Sequence, residues 1–250
     1  MEIILDRSEF MALAVLAQAQ NIIGLDAAAL LPPAADDRQA LYNRGEARLR
    51  ERELMQVTPE GVAVLEENLL RLIDIVTHPD DALIAIKTIP GVGQQLFIYY
   101  GKDQTFVEQT LPTEQQHRLA DVGTASELAT RLLQVFPITE AEANTPAMQL
   151  PQQTMIDVFQ LASQGQIEQA RQRIGTSTPA SEALLADFAH AQFSGTLSIY
   201  SGNDDGEADS SELALVQGPT TAWAITPTHT PETVQAQPIT AAAFAALLGF

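Results

Sequence analysis

The sequence predicts an α+β protein built as a quasi-two-fold duplicated unit: in each copy, helices lead into an antiparallel β-meander and a closing helix. Three observations predict it. Apolar residues make up 46% of the 250 and charged residues 18%, which is enough for a packed core and argues against global disorder. The hydrophobic pattern switches from helical to strand period twice along the chain. Each strand-like stretch then ends in an apolar helix at matching distance, from Leu83 to Phe136 in one half and from Leu197 to Phe250 in the other.

The elements follow in order. Residues 2–5 (EIIL) form a short strand, after which Asp6 or Ser8 caps a helix carrying Phe10, Leu13 and Leu16 at helical spacing. Gly24 and Pro32-Pro33 break the chain. Asp36 or Asp37 opens a second helix to about Leu49, and the alternating charges of RGEARLRERELM mark a solvated face. Thr58-Pro59-Glu60 reads as a helix start, with a capping Thr and Pro at the first helical position. From it a stripe of Val62, Leu65, Leu69, Leu72, Ile73 and Val76 runs to His78-Pro79. DALIAIKTI, QQLFIYY, QTFVEQT and HRLADV then form a meander turned by PGVG and GKD, and SELATRLLQVF closes the half. Three prolines across 137–153 and no periodicity make 138–153 a linker between a first half, 1–137, and a second, 154–250. The second half repeats the order. TMIDVFQLASQG, QIEQARQRIG and ASEALLADFAHA are helices, GTLSIY, SELALVQ, TAWAITP and TVQAQP are strands, and AAAFAALLGF is the closing helix. The two halves are expected to pack as one structural unit. Each meander's apolar face needs a cover, and Leu128, Leu132, Leu133 and Phe136, with Phe244, Leu247 and Leu248, are placed to supply it.

Composition narrows the function. The formal charge is −19, and Arg173 is the last basic residue. Nucleic acids and anionic membranes are therefore excluded as partners, since both need Lys and Arg. No cysteine is present, which removes disulfides, thiolate nucleophiles and zinc–thiolate sites. MEIILDRSEF has no basic region followed by an apolar one, and no apolar run reaches the roughly 20 residues of a membrane span, so a cytoplasmic location is expected.

No catalytic constellation stands out. His78, His117, His190 and His229 form no metal-ligating pair. Gly91-Val92-Gly93 lacks the third glycine and the following helix of a dinucleotide loop, and reads as a hairpin turn. The one local match is to a calcium loop in SGNDDGEADSSE. With Gly206 sixth, Asn203, Asp205, Glu207, Asp209 and Glu212 fall at ligand positions. Ser201 stands where Asp is normal and the flanks read as strands, so a solvated acidic hairpin loop is the preferred reading. No cofactor is expected.

The layout resembles the EspG family, cytosolic chaperones associated with ESX (type VII) secretion. The resemblance rests on the opening MEIILDRSEFMALAVLAQ, on RGEARLRERELMQVTPEG and on LLRLIDIVTHPDDALIAI, where helix, proline and strand follow one another. At the end it rests on ELALVQGPTTAWAITP and TVQAQPITAAAFAALLGF. It implies a quasi-two-fold α+β fold, and a non-enzymatic module that binds helical secretion substrates and keeps them soluble. By the resemblance, the partner surface lies among the helices of the second half, around Phe159, Leu161, Ile167 and Ile174. A helical protein partner is thus the expectation, with a homodimer as a further arrangement. The rival readings are an enzyme with a concealed carboxylate or histidine site and a homo-oligomeric scaffold.

Overall fold

A computed structural model of the chain describes residues 1–19, 21–25, 32, 34–113, 115–139, 146–202 and 208–248. Among them are twelve strands and eight helices. The strands are β1 (Glu2–Asp6), β2 (Met55–Val57), β3 (Ala63–Leu65), β4 (Asp81–Ile89), β5 (Gly93–Lys102), β6 (Thr105–Thr113), β7 (Gln116–Gly123), β8 (Met148–Pro151), β9 (Phe193–Gly202), β10 (Ala208–Gln217), β11 (Ala222–Pro227) and β12 (Thr233–Ile239). The helices are α1 (Arg7–Leu16), α2 (Ala35–Glu51), α3 (Glu67–Thr77), α4 (Ala125–Val135), α5 (Gln152–Ser163), α6 (Ile167–Ile174), α7 (Pro179–Ala189) and α8 (Ala241–Leu247). The class is α+β. Ten strands form one sheet in the order β1-β7-β6-β5-β4-β9-β10-β11-β12-β8, and β2 and β3 pair separately. Each four-strand meander, β4–β7 and β9–β12, is followed by a helix. The chain divides into two compact units. One comprises Met1–Ile84, Leu96–Leu128 and Tyr200–Asp209; the other comprises Ala85–Gln95, Ala129–Ile199 and Ser210–Phe250.

In the first unit α1 begins where the sequence places it. Asp6 accepts from the Ser8 and Glu9 amides at 2.7 and 2.9 Å, while Glu9 accepts from the Asp6 amide at 2.7 Å, a reciprocal capping box. Both acids also hold α2: Arg48 pairs with Asp6, and Arg52 donates to the buried Glu9 carboxylate at 2.8 and 2.9 Å. α2 is solvated along most of its length and touches the core at Gly45 and Leu49. Gly45 permits this approach, since a Cβ there would overlap the Ser8 carbonyl oxygen. The core joins Leu5, Phe10 and Leu13 to Leu69, Leu72 and Val76 of α3 and to Ile98, Tyr100, Val107 and Leu119 of the strands.

The stretch at Thr58 departs from expectation. It forms no helix start; β2 and β3 make a hairpin around it, and α3 begins at Glu67, capped by the Glu66 side chain on the Leu69 amide at 2.8 Å. The Thr58 amide donates to Val62 O and its carbonyl accepts from the Gly61 amide, both at 2.9 Å, while Gly61 takes φ +82°. Thr-Pro-Glu-Gly is thus turn chemistry: Pro59 supplies the fixed φ and Gly61 the left-handed residue.

In the second unit, β8 lies within the stretch read as a linker and pairs with β12, Leu150 opposite Val234. Helices α5–α7 cover one sheet face, where Met155, Val158, Ala162, Ala170, Leu184 and Phe188 pack on Val216, Trp223 and Ala236. Phe136, just after α4, packs on Phe193 of β9 and Phe244 of α8 at 5.8 and 6.4 Å between ring centroids. Leu128, Leu132, Phe136, Phe244 and Leu248 are buried, as a covering role requires, whereas Leu247 is exposed. Among the described residues, no helix is long and apolar enough to cross a membrane.

Candidate partner-binding groove

The groove arises because α5 is held at one margin of an open sheet face. Strand β8 delivers the chain to α5 through Pro151, and α5 turns Met155, Val158 and Ala162 into the core. Phe159 packs edge-on against Phe188 of α7, centroids 5.1 Å apart. The helices are locked to one another and to the sheet by polar contacts. Arg171 of α6 makes a two-pronged contact with Glu182 of α7 at 2.9 and 2.8 Å, and Arg173 of α6 reaches Asp157 of α5 at 2.8 Å. Asp187 of α7, fully enclosed, accepts from Trp223 Nε1 at 2.9 Å and from the Thr220 amide and hydroxyl at 3.2 and 3.0 Å.

Between α5 and the strands opens a cavity of about 690 Å³. Its wall is the α5 face of Gln152, Met155, Ile156, Phe159 and Gln160, which recur at helical spacing. Its floor carries Ile86 and Thr88 of β4, Gln94 of β5, and Ser194, Thr196 and Ser198 of β9. Ala214, Val216, Ile225, Pro227 and Val234 continue the floor with apolar surface. Among the described lining residues, the one ionisable side chain is that of Glu212. A site of this kind buries apolar surface and offers hydroxyl and amide hydrogen bonds. Its described residues hold no acid–base pair and no nucleophile with a neighbouring base. Among the described residues, no group of three His, Asp or Glu could hold a metal ion.

Of the four residues expected at a partner surface, the structure places Phe159 in the groove wall. Leu161 and Ile167 are half-buried against the core beneath, and Ile174 is buried at the end of α6. Ile156 was not singled out by the sequence reading, yet it is 42% exposed and stands in the wall. The available signal was its spacing: Ile156, Phe159 and Gln160 are i, i+3 and i+4 on one helix face. Of the calcium-loop positions, Asn203, Asp205 and Glu207 lie outside the described residues. Glu212 is exposed on β10 and forms part of the groove lining.

Among the perturbed titratable groups, His117, Tyr100 and Lys87 lie outside the groove lining and serve packing. His117 of β7 stacks on Phe10 at 4.1 Å, and Gln109 Nε2 is 2.8 Å from its Nδ1. Burial, aided by the Arg7 charge and opposed by Asp6, pushes its pKa down to about 4. Either orientation of the Gln109 amide therefore bonds a neutral imidazole. Burial holds the Tyr100 phenol above its usual range; its hydroxyl lies 2.8 Å from both Ile23 O and Gln109 Oε1. Lys87, lowered by burial, donates to Val135 O at 2.6 Å and sits 4.7 Å above the Phe193 ring. His190 and His229 are exposed, and His78 caps the end of α3.

No protein-family model and no curated protein matches the sequence. In three dimensions the chain has the fold of the Mycobacterium tuberculosis type VII secretion system chaperone EspG5, solved in complex with the PE25–PPE41 dimer. The TM-score is 0.69 at 14% sequence identity, and the match covers 100% of this chain and 95% of that one.

Proposed function

We propose that the chain is a non-enzymatic, chaperone-like module of the cytoplasm that holds a helical segment of a type VII secretion substrate in the α5 groove. The observation that carries this reading is the lining. It is an apolar helix face opposite a hydroxyl-rich floor whose described residues include one ionisable side chain, suited to laying an amphipathic helix against α5 and unsuited to acid–base chemistry. Ile156 and Phe159 supply the anchor. The likeness to EspG5, a chaperone solved with a bound protein dimer, points the same way.

The test is co-expression with small helical substrates from type VII loci of the same genome, followed by titration calorimetry. A stable complex is expected. Ile156→Asp places a charge in the groove wall at an exposed position and should weaken binding at least tenfold without changing the melting temperature; burying an Ile side chain accounts for about 1.5–3 kcal/mol. Full-strength binding by that variant would sink the groove as the partner surface.

A further inference from the structure

β3 presents an open edge beside a second apolar groove, in the first unit. The Thr58 amide donates to Val62 O at 2.9 Å and the Glu66 amide to Leu54 O at 3.0 Å. Antiparallel ladders alternate, so Gln56 and Val64, which stand opposite one another, exchange the bonds between those two. Ala63 and Leu65 then turn their N–H and C=O groups away from β2. No hydrogen bond among the described residues takes up those four groups. Alongside is a cavity of about 440 Å³ lined by Leu16, Ala17, Leu70, Ile73, Asp74 and His78 together with all three residues of β3. No residue of β2 lines it, which puts it on the unpaired side of β3. Val64 and Leu70 are 50% and 53% exposed at its margin.

Two features select the occupant. Free backbone donors and acceptors on an edge are satisfied by another strand; a helix has already used its own. The charge is anionic: Glu60, Glu66 and Glu67 flank β3 in the chain, and Asp74 in the lining balances Lys102. The cations of the neighbouring elements are committed, Lys102 to Asp74 at 2.7 Å and Arg71 to Asp121. A second copy of this chain, formally −19, would bring the same acids to the same edge. We propose that β3 takes up, by strand addition, an extended segment of a different protein with alternating apolar and basic side chains, its apolar side in the groove over Leu70 and Ile73. This does not rest on the α5 groove.

The full chain is titrated with a blocked, fluorescent hexapeptide of alternating valine and lysine, read by polarisation. Saturable binding is expected, weakened at least tenfold when glutamate replaces lysine. Methylating the backbone nitrogens of one alternate set of peptide residues should abolish binding, while methylating the other set leaves it intact, because only one row of amides meets β3. Ala63→Pro removes an outward N–H without touching the Val64 ladder bond and should also abolish binding, with folding checked by circular dichroism. The proposal is overturned by equal binding of both methylated peptides, by preference for a helical leucine–lysine peptide, by no binding at millimolar peptide, or by self-association that Ala63→Pro removes.

Discussion

Asp187→Ala should lower the stability of the second unit by about 3 kcal/mol. The carboxylate is 1% exposed and sits among three donors, Trp223 Nε1 at 2.9 Å and the Thr220 amide and hydroxyl at 3.2 and 3.0 Å. Thr220 is exposed, so water replaces its two bonds and little is lost there. Trp223 is fully buried, and its indole N–H is left without a partner. An orphaned buried donor costs about 1–3 kcal/mol, at the upper end where the lost acceptor was a carboxylate. The vacated volume adds about 1 kcal/mol. For a chain of this size the sum lowers Tm by roughly 6–12 °C. Trp223 is the only tryptophan, so its fluorescence in a urea titration follows this unit directly. Trp223→Phe, followed by circular dichroism, completes a double-mutant cycle in which the double variant should lose less than the sum of the singles. A cost below about 1 kcal/mol for Asp187→Ala, or strict additivity, would refute the claim that this contact fastens α7 to the β10–β11 turn.

Two further outcomes concern the first unit. Because the folded His117 pKa of about 4 lies below the ordinary 6.5, the unfolded chain binds more protons between those values, and stability falls as pH drops through that window. The gap is worth about 3 kcal/mol at most, and His117→Gln should flatten that part of the stability profile relative to the parent; parallel profiles would contradict it. Gly45→Ala, which stabilises an exposed helix by up to about 1 kcal/mol, should here cost about 3 kcal/mol, because the new methyl meets the Ser8 backbone at the crossing of α1 and α2. A variant that melts at or above the parent temperature in a thermal scan would show that α2 does not pack as described.

The legible parts of the fold are those whose signal is local. Asp6 followed by Glu9 announces a helix start, the alternation of DALIAIKTI announces a strand, and the repeated order of meander and closing helix is visible in the apolar pattern. Thr58-Pro59 misled because the same pair opens helices and tight turns. Gly61 and its left-handed φ decide for the turn, and the sequence signals that only as a glycine. β8 was hidden because a four-residue edge strand of MQLP has no periodicity of its own and exists only through its pairing with β12. The strand order depends on pairings distant in sequence, such as Leu5 opposite His117, which no local pattern encodes. In the groove, Phe159 was reached through the family resemblance, which pointed to the helices of the second half. Whether such a residue faces the core or the wall depends on which strands α5 leaves uncovered, so Ile156 emerged only from the structure.

The two grooves differ in a way that follows from where the charge is spent. Among the described residues, ion pairs engage Arg48, Arg50, Arg52, Arg71, Lys102, Arg118, Arg171 and Arg173. Lys87 is engaged by Val135 O and the Phe193 ring. The cations thus mainly fasten helices and strands together, and the excess of acids is what the surface shows to a partner. Among the described lining residues of the α5 groove Glu212 alone is ionisable, so a partner held there by apolar burial should bind with little dependence on salt. A basic strand added to β3, which Glu60, Glu66 and Glu67 flank in the chain, should instead bind more weakly as salt rises, because exposed charge is screened over about 10 Å at 0.1 M.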